Sequence, residues 1–289
     1  MKLIRSVKKM QATALALNRR GKKIAFVPTM GYLHEGHLSL MRLARRKGDV
    51  LVVSIFVNPA QFGPREDFSR YPRDLRRDLA LCRRAGADVV FAPAVKSMYP
   101  EGYSAYVEET RLSRGLCGAR RPGHFRGVAT VVLKLFVIVQ PDLAVFGLKD
   151  FQQSRVIRKM ASDLNLPVTI LAAPTVREKD GLAMSSRNTF LNPSERKEAL
   201  CLRRALLQAR RMARTGERDA RRIRAAMKRI VEREPSARID YLEIVDGEDL
   251  RPVRRIEPGA MAALAVFIGK TRLIDNIKLL TANLANLRE

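Results

Sequence analysis

Apolar runs alternate with amphipathic segments along the first part of the chain. Short apolar runs at 24–27, 50–57, 87–92, 143–146 and 168–173 predict strands, and a weaker run at 105–108 predicts one more. Apolar positions recur at helical spacing at 37–47, 75–85 and 151–164, while 127–139 is apolar on nearly every side, as in a buried helix. This alternation is typical of an α/β fold with a parallel sheet and helices on both faces.

The pattern changes near Pro174. Polar loops at 179–181 and 185–188 are followed by a helix start, with Asn192 as the cap, Pro193 at the first helical position and Glu195 reaching back. Two arginine-rich helices and strands at 239–244 and 261–268 come next. We therefore predict a Rossmann-like, doubly wound parallel-sheet domain over residues 1–175 and a smaller α+β C-terminal lid domain over residues 176–289.

Composition is that of a soluble globular chain in a reducing compartment. With 289 residues, 46% of them hydrophobic, the chain can bury a proper core. Its three cysteines, Cys82, Cys117 and Cys201, are scattered and odd in number, which argues against a disulfide framework. The basic stretch at 1–20 lacks the apolar centre of a secretory signal, and no run approaches the ~18 apolar residues of a membrane span. We expect a cytoplasmic protein without a membrane partner.

The charge balance is strongly basic, with 55 Lys and Arg against 29 Asp and Glu, a net charge of +26. Such a surplus can attract nucleic acid or small anionic substrates. Arginine pairs lie mostly on the polar faces of apparent helices, and only 6% of residues are aromatic, which leaves few stacking platforms for single strands. We favour a solvated basic surface with no specific nucleic acid, and keep a basic RNA- or DNA-binding protein as the alternative.

Two of the three histidines, His34 and His37, stand where a strand, a glycine-containing turn and a helix meet. Backbone N–H groups at a helix start attract phosphate, and Gly36 would let a ligand approach the backbone. The imidazoles could donate hydrogen bonds to phosphate oxygens as charge builds up. A metal site is disfavoured because no further Cys or His lies nearby to complete a shell, and histidines that merely pack are the other alternative. This spacing favours a nucleotide site.

Longer motifs resemble the pantoate–β-alanine ligase (pantothenate synthetase) family. They occur in the family's order at 28–37 (PTMGYLHEGH), 53–62, 71–73, 121–127, 147–153, 180–188 and 271–276. The H-x-G-H element alone is shared with the wider nucleotidylyltransferase superfamily and class I aminoacyl-tRNA synthetases. The chain departs from the family at Leu148, where Glu or Gln is usual, and at Val137, where many members have Asn.

The resemblance implies a two-step reaction. The carboxylate of pantoate attacks the α-phosphate of Mg–ATP to give pantoyl adenylate and pyrophosphate, and the amine of β-alanine then displaces AMP. It also implies Mg²⁺ as cofactor and a homodimer. Another nucleotidyl transfer is the nearest alternative, whereas a tRNA synthetase would need an anticodon-binding region, for which the tail after residue 175 is too short.

The resemblance further assigns roles to particular residues. The catalytic set is His34, His37, Lys149, Ser185, Ser186 and Arg187. The ATP contacts are these six together with Met30, Gly147, Asp150, Val176 and Met184. The pantoate pocket takes Gln61 and Gln153 as polar anchors and Pro28, Met30, Phe62, Val128, Val131 and Val132 as walls.

Several assignments stay open at this point. Lys149 could be an ordinary surface lysine, and Asp150 could cap the following helix instead of contacting ribose. The loop at 185–187 could close on the triphosphate or merely join domains. Arg121 and His124 could hold the carboxylate of β-alanine, support the pocket or belong to a structural loop. Asp78 matches a family position linked to the magnesium–phosphate region, but could equally be a surface ion-pair member.

Overall fold

The computed structural model describes residues 1–64 and 66–280 of the chain. The strands are β1 Lys2–Ile4, β2 Ile24–Thr29, β3 Val50–Ile55, β4 Val89–Phe91, β5 Leu143–Gly147, β6 Thr169–Ala173, β7 Ala237–Val245, β8 Met261–Ile268 and β9 Thr271–Lys278. The α-helices are α1 Val7–Arg19, α2 Glu35–Arg45, α3 Leu75–Arg84, α4 Val95–Met98, α5 Leu116–Arg120, α6 His124–Val139, α7 Phe151–Asp163, α8 Pro193–Glu198, α9 Leu200–Arg214 and α10 Ala220–Val231. Short 3₁₀ turns lie at Pro59–Gln61, Leu148–Asp150 and Ser186–Phe190.

The chain forms two compact units. The first contains residues 1–64, 66–110, 121–176 and 184–186, and the second contains 111–120, 177–183 and 187–280. The sequence predicts a domain boundary between residues 175 and 176. In the structure, the chain after α7 passes from the first unit to the second between residues 176 and 177. The sequence pattern did not indicate that 111–120 belongs with the second unit, nor that 184–186 returns to the first.

The first unit is built on a six-stranded parallel sheet with the order β1-β4-β3-β2-β5-β6. Residues 24–27 of β2 are completely buried, as expected for a central strand covered on both faces. Strand β2 pairs with β3 on one side and β5 on the other, so the strand succession reverses between β2 and β5. The carboxyl ends of two strands at such a switch point border the crevice in which open α/β sheets bind ligands.

The second unit contains an antiparallel sheet with the order β7-β8-β9, against which α9 and α10 pack. The alanines and leucines along one side of α9 are buried in this core, while its arginines lie on the polar side. At the start of α8, Asn192 Oδ1 accepts from the Glu195 amide at 2.9 Å, and Glu195 Oε2 accepts from the Asn192 amide at 3.0 Å. The capping box read from the sequence is therefore confirmed.

The predicted fold class is confirmed, with one strand wrong and five helices or strands missed. No strand forms at 105–108, because the Val107 amide donates to Thr130 Oγ1 at 2.9 Å, and Arg126 stacks over the ring of Tyr106. The missed elements are β1, the helix α1 in the basic N-terminal stretch, the short helices α4 and α5, and β9. No helix in the described ranges is long and apolar enough to cross a membrane, and the three cysteines form no disulfide.

Helix α6 lies unusually close to the turn at Pro59–Gln61. A Cβ added to Gly127 would lie 2.1 Å from the carbonyl oxygen of Ala60 and 2.6 Å from the amide nitrogen of Gln61. Because these are backbone atoms, they cannot rotate away. Glycine at position 127 therefore allows the helix and the turn to approach each other.

We expect Gly127→Ala to lower the free energy of unfolding by about 1–3 kcal/mol, since overpacking forces the helix away from the turn. Denaturant unfolding followed by circular dichroism measures this change. The matched control is Gly115→Ala, where an added Cβ meets nothing within 4 Å and the change should stay within about 0.5 kcal/mol. Equal stability of the two variants would contradict the close approach.

Candidate active site

Two imidazoles cap the start of helix α2. His34 is the N-cap residue, and its Nδ1 accepts a hydrogen bond from the amide of Gly36 at 3.2 Å. The Nδ1 of His37 accepts from the amide of His34 at 3.3 Å, and the two ring centroids are 4.1 Å apart. Because Nδ1 is the acceptor in both rings, each neutral imidazole carries its proton on Nε2. The pair therefore has two Nε2–H donors.

This capping arrangement corrects part of the sequence-based expectation. The amides of His34 and Gly36 are bonded to imidazoles, so these two are not the free helix-start donors that we expected for phosphate. A Cβ on Gly36 would lie 2.8 Å from Cε1 of His34 and 2.9 Å from its Nδ1. Glycine at position 36 therefore makes room for the ring of His34, and the expectation that it also lets a ligand approach the backbone stays a prediction.

Lys149 lies across the switch point from these histidines. It belongs to the 3₁₀ turn that directly follows β5 and Gly147, and its Nζ is 3.7 Å from Oδ1 of Asp150. Burial lowers the pKa of His37 well below its ordinary value, and electrostatic interaction with His34 and Lys149 lowers it further. His37 is thus a neutral hydrogen-bond donor near pH 7, beside a lysine ammonium. Asp150 occupies the N-cap position of α7, but its side chain makes no capping hydrogen bond. The alternative that Asp150 caps this helix was therefore wrong.

Asp78 holds the turn that joins β2 to α2. Its Oδ2 accepts from the amide of Tyr32 at 2.8 Å and its Oδ1 from the amide of Leu33 at 2.7 Å. The turn needs support, because Gly31 and Tyr32 both have positive φ, +82° and +48°. Asp78 is 1% exposed, and burial raises the pKa of its carboxyl group. The reading of Asp78 as a surface ion-pair member was therefore wrong, and both of its oxygens serve the turn.

A buried amide pair forms the second part of the site. Asn58 is fully buried, and its Nδ2 donates to Oε1 of Gln61 and to the carbonyl oxygen of Gly127, both at 3.0 Å. Its Oδ1 accepts from the hydroxyl of Tyr99 at 2.7 Å. Nε2 of Gln61 in turn donates to Sδ of Met30 at 3.2 Å. Asn58 thereby sets the orientation of the Gln61 amide, a role that sequence analysis missed although the residue stands inside a quoted motif.

Arg121 and His124 support Gln61 from the other side. Arg121 makes a two-bond ion pair with Glu66, at 2.8 and 2.6 Å, and its Nη2 donates to the carbonyl oxygen of Gln61 at 3.2 Å. Nδ1 of His124 is 2.9 Å from the same carbonyl oxygen, and its Nε2 is 3.1 Å from Nη1 of Arg121. A guanidinium can only donate, so Nε2 accepts and Nδ1 carries the proton. Sequence analysis left three roles open for Arg121 and His124. These contacts agree with the second of them, in which the two residues support the pocket.

The segment 184–186 brings Ser185 and Ser186 into the first unit. The amide of Met184 donates to the carbonyl oxygen of Val176 at 3.0 Å, and Oγ of Ser186 is 3.1 Å from the hydroxyl of Tyr71. Ser186 is buried and begins a 3₁₀ turn. Arg187, the next residue, is counted in the second unit. Tyr71, like Asn58, is a residue to which sequence analysis assigned no role.

The remaining residues that we expect in the pantoate pocket lie on α6, on β2, on α7 and just after the 59–61 turn. Val128, Val131 and Val132 are buried on α6, which packs against the 59–61 turn. Phe62 is partly buried and packs edge-on against Tyr71, with ring centroids 6.0 Å apart. Pro28 lies in β2 just before Met30, and Gln153 lies in the first turn of α7, with no side-chain hydrogen bond to any described residue.

A doubly wound sheet with two imidazole donors and a lysine at its switch point, next to the buried amide pair of Asn58 and Gln61, defines a nucleotide-binding enzyme of the Rossmann-like class. Comparison with known proteins gives the family. The family model for pantoate–β-alanine ligase matches residues 2–278. The chain belongs to the pantoate–β-alanine ligase family, as its motifs predicted, and is an enzyme of the ligase class.

Individual relatives agree over nearly their whole length. A pantothenate synthetase of Syntrophotalea carbinolica is 58% identical over 276 residues, which cover 96% of this chain and 98% of the relative. A crystal structure of pantothenate synthetase from Thermus thermophilus has a TM-score of 0.92 and 48% identity, and covers 97% of this chain and 100% of its own. The pantoate–β-alanine ligase of Francisella tularensis, complexed with β-γ ATP and β-alanine, has a TM-score of 0.81 and 33% identity, with coverage of 98% and 99%.

His124 gives a pH-dependent prediction. Burial and Arg121 lower its pKa to about 3, whereas an unfolded histidine titrates near 6.5. The folded chain therefore binds fewer protons, so this contribution to stability is full above pH 6.5 and is lost as the pH falls towards 3. In His124→Asn, which keeps a donor for Gln61 but does not titrate, the loss should be absent. From pH 7 to 5, the wild type should lose about 2 kcal/mol more free energy of unfolding than the variant.

Urea unfolding of both proteins at the two pH values tests this. Taking the difference between wild type and variant removes the titration of His34 and His37, which is common to both. Parallel pH dependence in the two proteins would contradict a neutral, buried His124.

Proposed function

We propose that this chain condenses pantoate with β-alanine at the expense of ATP, through a pantoyl adenylate, and releases AMP and pyrophosphate. The observation that carries the proposal is the convergence of His34, His37 and Lys149 at the switch point of the sheet. One ammonium charge and two Nε2–H donors are a suitable set for the phosphates of a nucleotide. The family membership supplies the substrates.

The first step needs no nucleophile from the protein. The pantoate carboxylate attacks the α-phosphorus and pyrophosphate leaves, so the protein contributes alignment and charge neutralisation. A neutral His37 donates to a phosphate oxygen without losing its own proton, while Lys149 offsets negative charge on the leaving group. The second step is attack by the amine of β-alanine on the activated carbonyl, with AMP as the leaving group. The other expected ATP contacts, Met30, Gly147, Asp150, Val176, Met184, Ser185, Ser186 and Arg187, remain predictions.

Magnesium enters this proposal as part of the Mg–ATP substrate. Within residues 1–64 and 66–280, no group of three or more His, Cys, Asp or Glu side chains could hold a metal ion. Mg²⁺ commonly keeps several waters and binds through substrate phosphates, so a dedicated protein cage is not needed. Asp78 is not proposed as a direct ligand, since both of its oxygens accept backbone hydrogen bonds.

Pantoate fits the amide-lined pocket. Nε2 of Gln61 donates to a thioether, a weak acceptor that a substrate oxygen can replace. Gln153 has an amide with no partner among the described residues and supplies a second polar anchor. The gem-dimethyl group would pack against Val128, Val131 and Val132. Arg121 and His124 act indirectly, because their polar atoms are engaged by Glu66 and Gln61.

The homodimer and the cytoplasmic location implied by the family resemblance stay predictions. A different nucleotidyl transfer would share the histidines and Lys149 but has no need of the Asn58–Gln61 pair beside them. That pair therefore favours the ligase over its nearest alternative.

The first test is AMP release by the purified protein with Mg–ATP, pantoate and β-alanine, and with each substrate omitted in turn. AMP and pantothenate should form only when all three are present. His37→Ala and Lys149→Ala should each lower adenylate formation by at least about a hundredfold, because each removes a preorganised contact to the phosphates.

Lys47→Ala, at the surface after α2, serves as the matched control and should keep full activity. Circular dichroism verifies that all variants are folded. Full turnover by folded Lys149→Ala would remove that residue from the mechanism. Adenylation of a different acid would keep the phosphate chemistry but reject pantoate as the substrate.

Gln61 gives a separate prediction. Gln61→Ala should raise the KM for pantoate by about tenfold, since it removes one polar anchor, and leave the KM for ATP within about twofold. Steady-state kinetics with one substrate varied at a time measures both. Equal loss for pantoate and ATP would contradict the assignment of Gln61 to the pantoate pocket.

A further inference from the structure

Residues 177–183 form a small hairpin between two of the expected ATP contacts, Val176 and Met184. Arg177 and Ala183 form an antiparallel bridge, and the amide of Glu178 donates to the carbonyl oxygen of Leu182 at 2.8 Å. The pairing continues to the base of the hairpin, where the Met184 amide donates to Val176 at 3.0 Å. The hairpin thus determines the distance between the two segments that enter and leave it.

A buried ion pair anchors this hairpin. Nη1 of Arg177 is 2.6 Å from Oδ2 of Asp275, and Nη2 is 2.9 Å from Oδ1, the parallel two-bond geometry of the strongest arginine–carboxylate pairs. Asp275 lies on β9 and is 3% exposed. Nη1 of Arg177 also donates to the carbonyl oxygen of Gly181, at 3.1 Å, in the tip of the same hairpin. One side chain therefore ties both the first strand and the tip to the sheet of the second unit.

Two more exposed contacts hold the outer side of the hairpin. Nδ2 of Asn188 donates to Oε1 of Glu178 at 2.6 Å and to the carbonyl oxygen of Ala183 at 3.1 Å. Arg196 pairs with Glu178 at 2.6 Å and with Asp180 at 2.8 Å. Asp180 is 42% exposed at its side chain, so solvent weakens that pair. Asp275 is the buried member of the set, and its contact should matter most.

We propose that Asp275 and Arg177 are positioning residues for ATP. They hold the hairpin, and the hairpin in turn holds Val176 on one side and Met184, Ser185 and Ser186 on the other. This inference rests on the proposed function, which gives those four residues to the nucleotide. Removal of one partner leaves a buried charge uncompensated, which favours opening of the hairpin. Small displacements of a substrate-positioning segment have large effects on a reaction.

The test is Asp275→Asn, which keeps the size of the side chain but removes its charge. The KM for Mg–ATP should rise by about tenfold or more, while the KM for pantoate stays within about twofold. The matched control is Asp240→Asn. It removes the partner of Arg272, whose Nε and Nη2 are 3.0 and 2.7 Å from Oδ2 of Asp240, and Arg272 lies on the same strand β9. The control should leave both constants unchanged.

A double variant covers the case in which Asp275→Asn does not fold. The double variant Arg177→Met, Asp275→Leu removes both charges together, so no buried charge is left alone, yet the anchor is lost. It should fold and show the same loss of ATP affinity, measured independently by calorimetric titration with Mg–ATP. An unchanged Kd for Mg–ATP in this variant, or an equal KM rise in Asp240→Asn, would overturn the inference. A wild-type protein without ligase activity would reject the proposed function instead.

Discussion

The placement of β2 between β3 and β5 is the constraint on which the candidate site depends. Because all three strands are parallel, their carboxyl ends share one edge of the sheet, and each is followed by a segment that carries chemistry. His34 and His37 follow β2, Asn58 and Gln61 follow β3, and Lys149 follows β5. His37 and Lys149, which are more than a hundred residues apart in the sequence, are therefore brought close together by the order of the strands. The loops carry the functional side chains, and the parallel sheet places the starts of these loops along one edge.

Buried hydrogen bonds then give these loops one conformation. The turn after β2 contains two successive residues with positive φ, one of them Tyr32, for which that conformation is unfavourable. Asp78 compensates by accepting hydrogen bonds from the amides of Tyr32 and Leu33. Asn58 does the same for the turn after β3, since its amide links Gln61, Gly127 and Tyr99. A buried polar group left unsatisfied would cost about 1–3 kcal/mol, so each amide network has few alternatives of similar energy.

Sequence patterns predicted the sheet and the motif positions better than they predicted side-chain roles. Strand β2 is apolar from Ile24 to Pro28, and Asn192 and Glu195 form a local capping box, so periodicity and spacing were sufficient for both. The surface ion-pair alternative for Asp78 was wrong and the packing of His34 on Gly36 was missed, because each depends on a neighbour's orientation that spacing does not encode. Strand β9 was missed because its alternation of buried and half-exposed residues includes Asp275 and Asn276, which read as polar although the fold buries both.

The electrostatics of the site are local, despite the net charge of +26. At physiological ionic strength, charges more than about 8 Å apart are largely screened, so most of the surface arginines act on the rate of encounter with anions rather than on binding. Affinity for phosphate has to come from groups in contact with it. Burial keeps His37 neutral beside Lys149, which avoids repulsion between two cations while retaining a donor. The same burial that gives the imidazole its low pKa thus allows a neutral histidine to lie beside a lysine ammonium, as the proposed phosphate site requires.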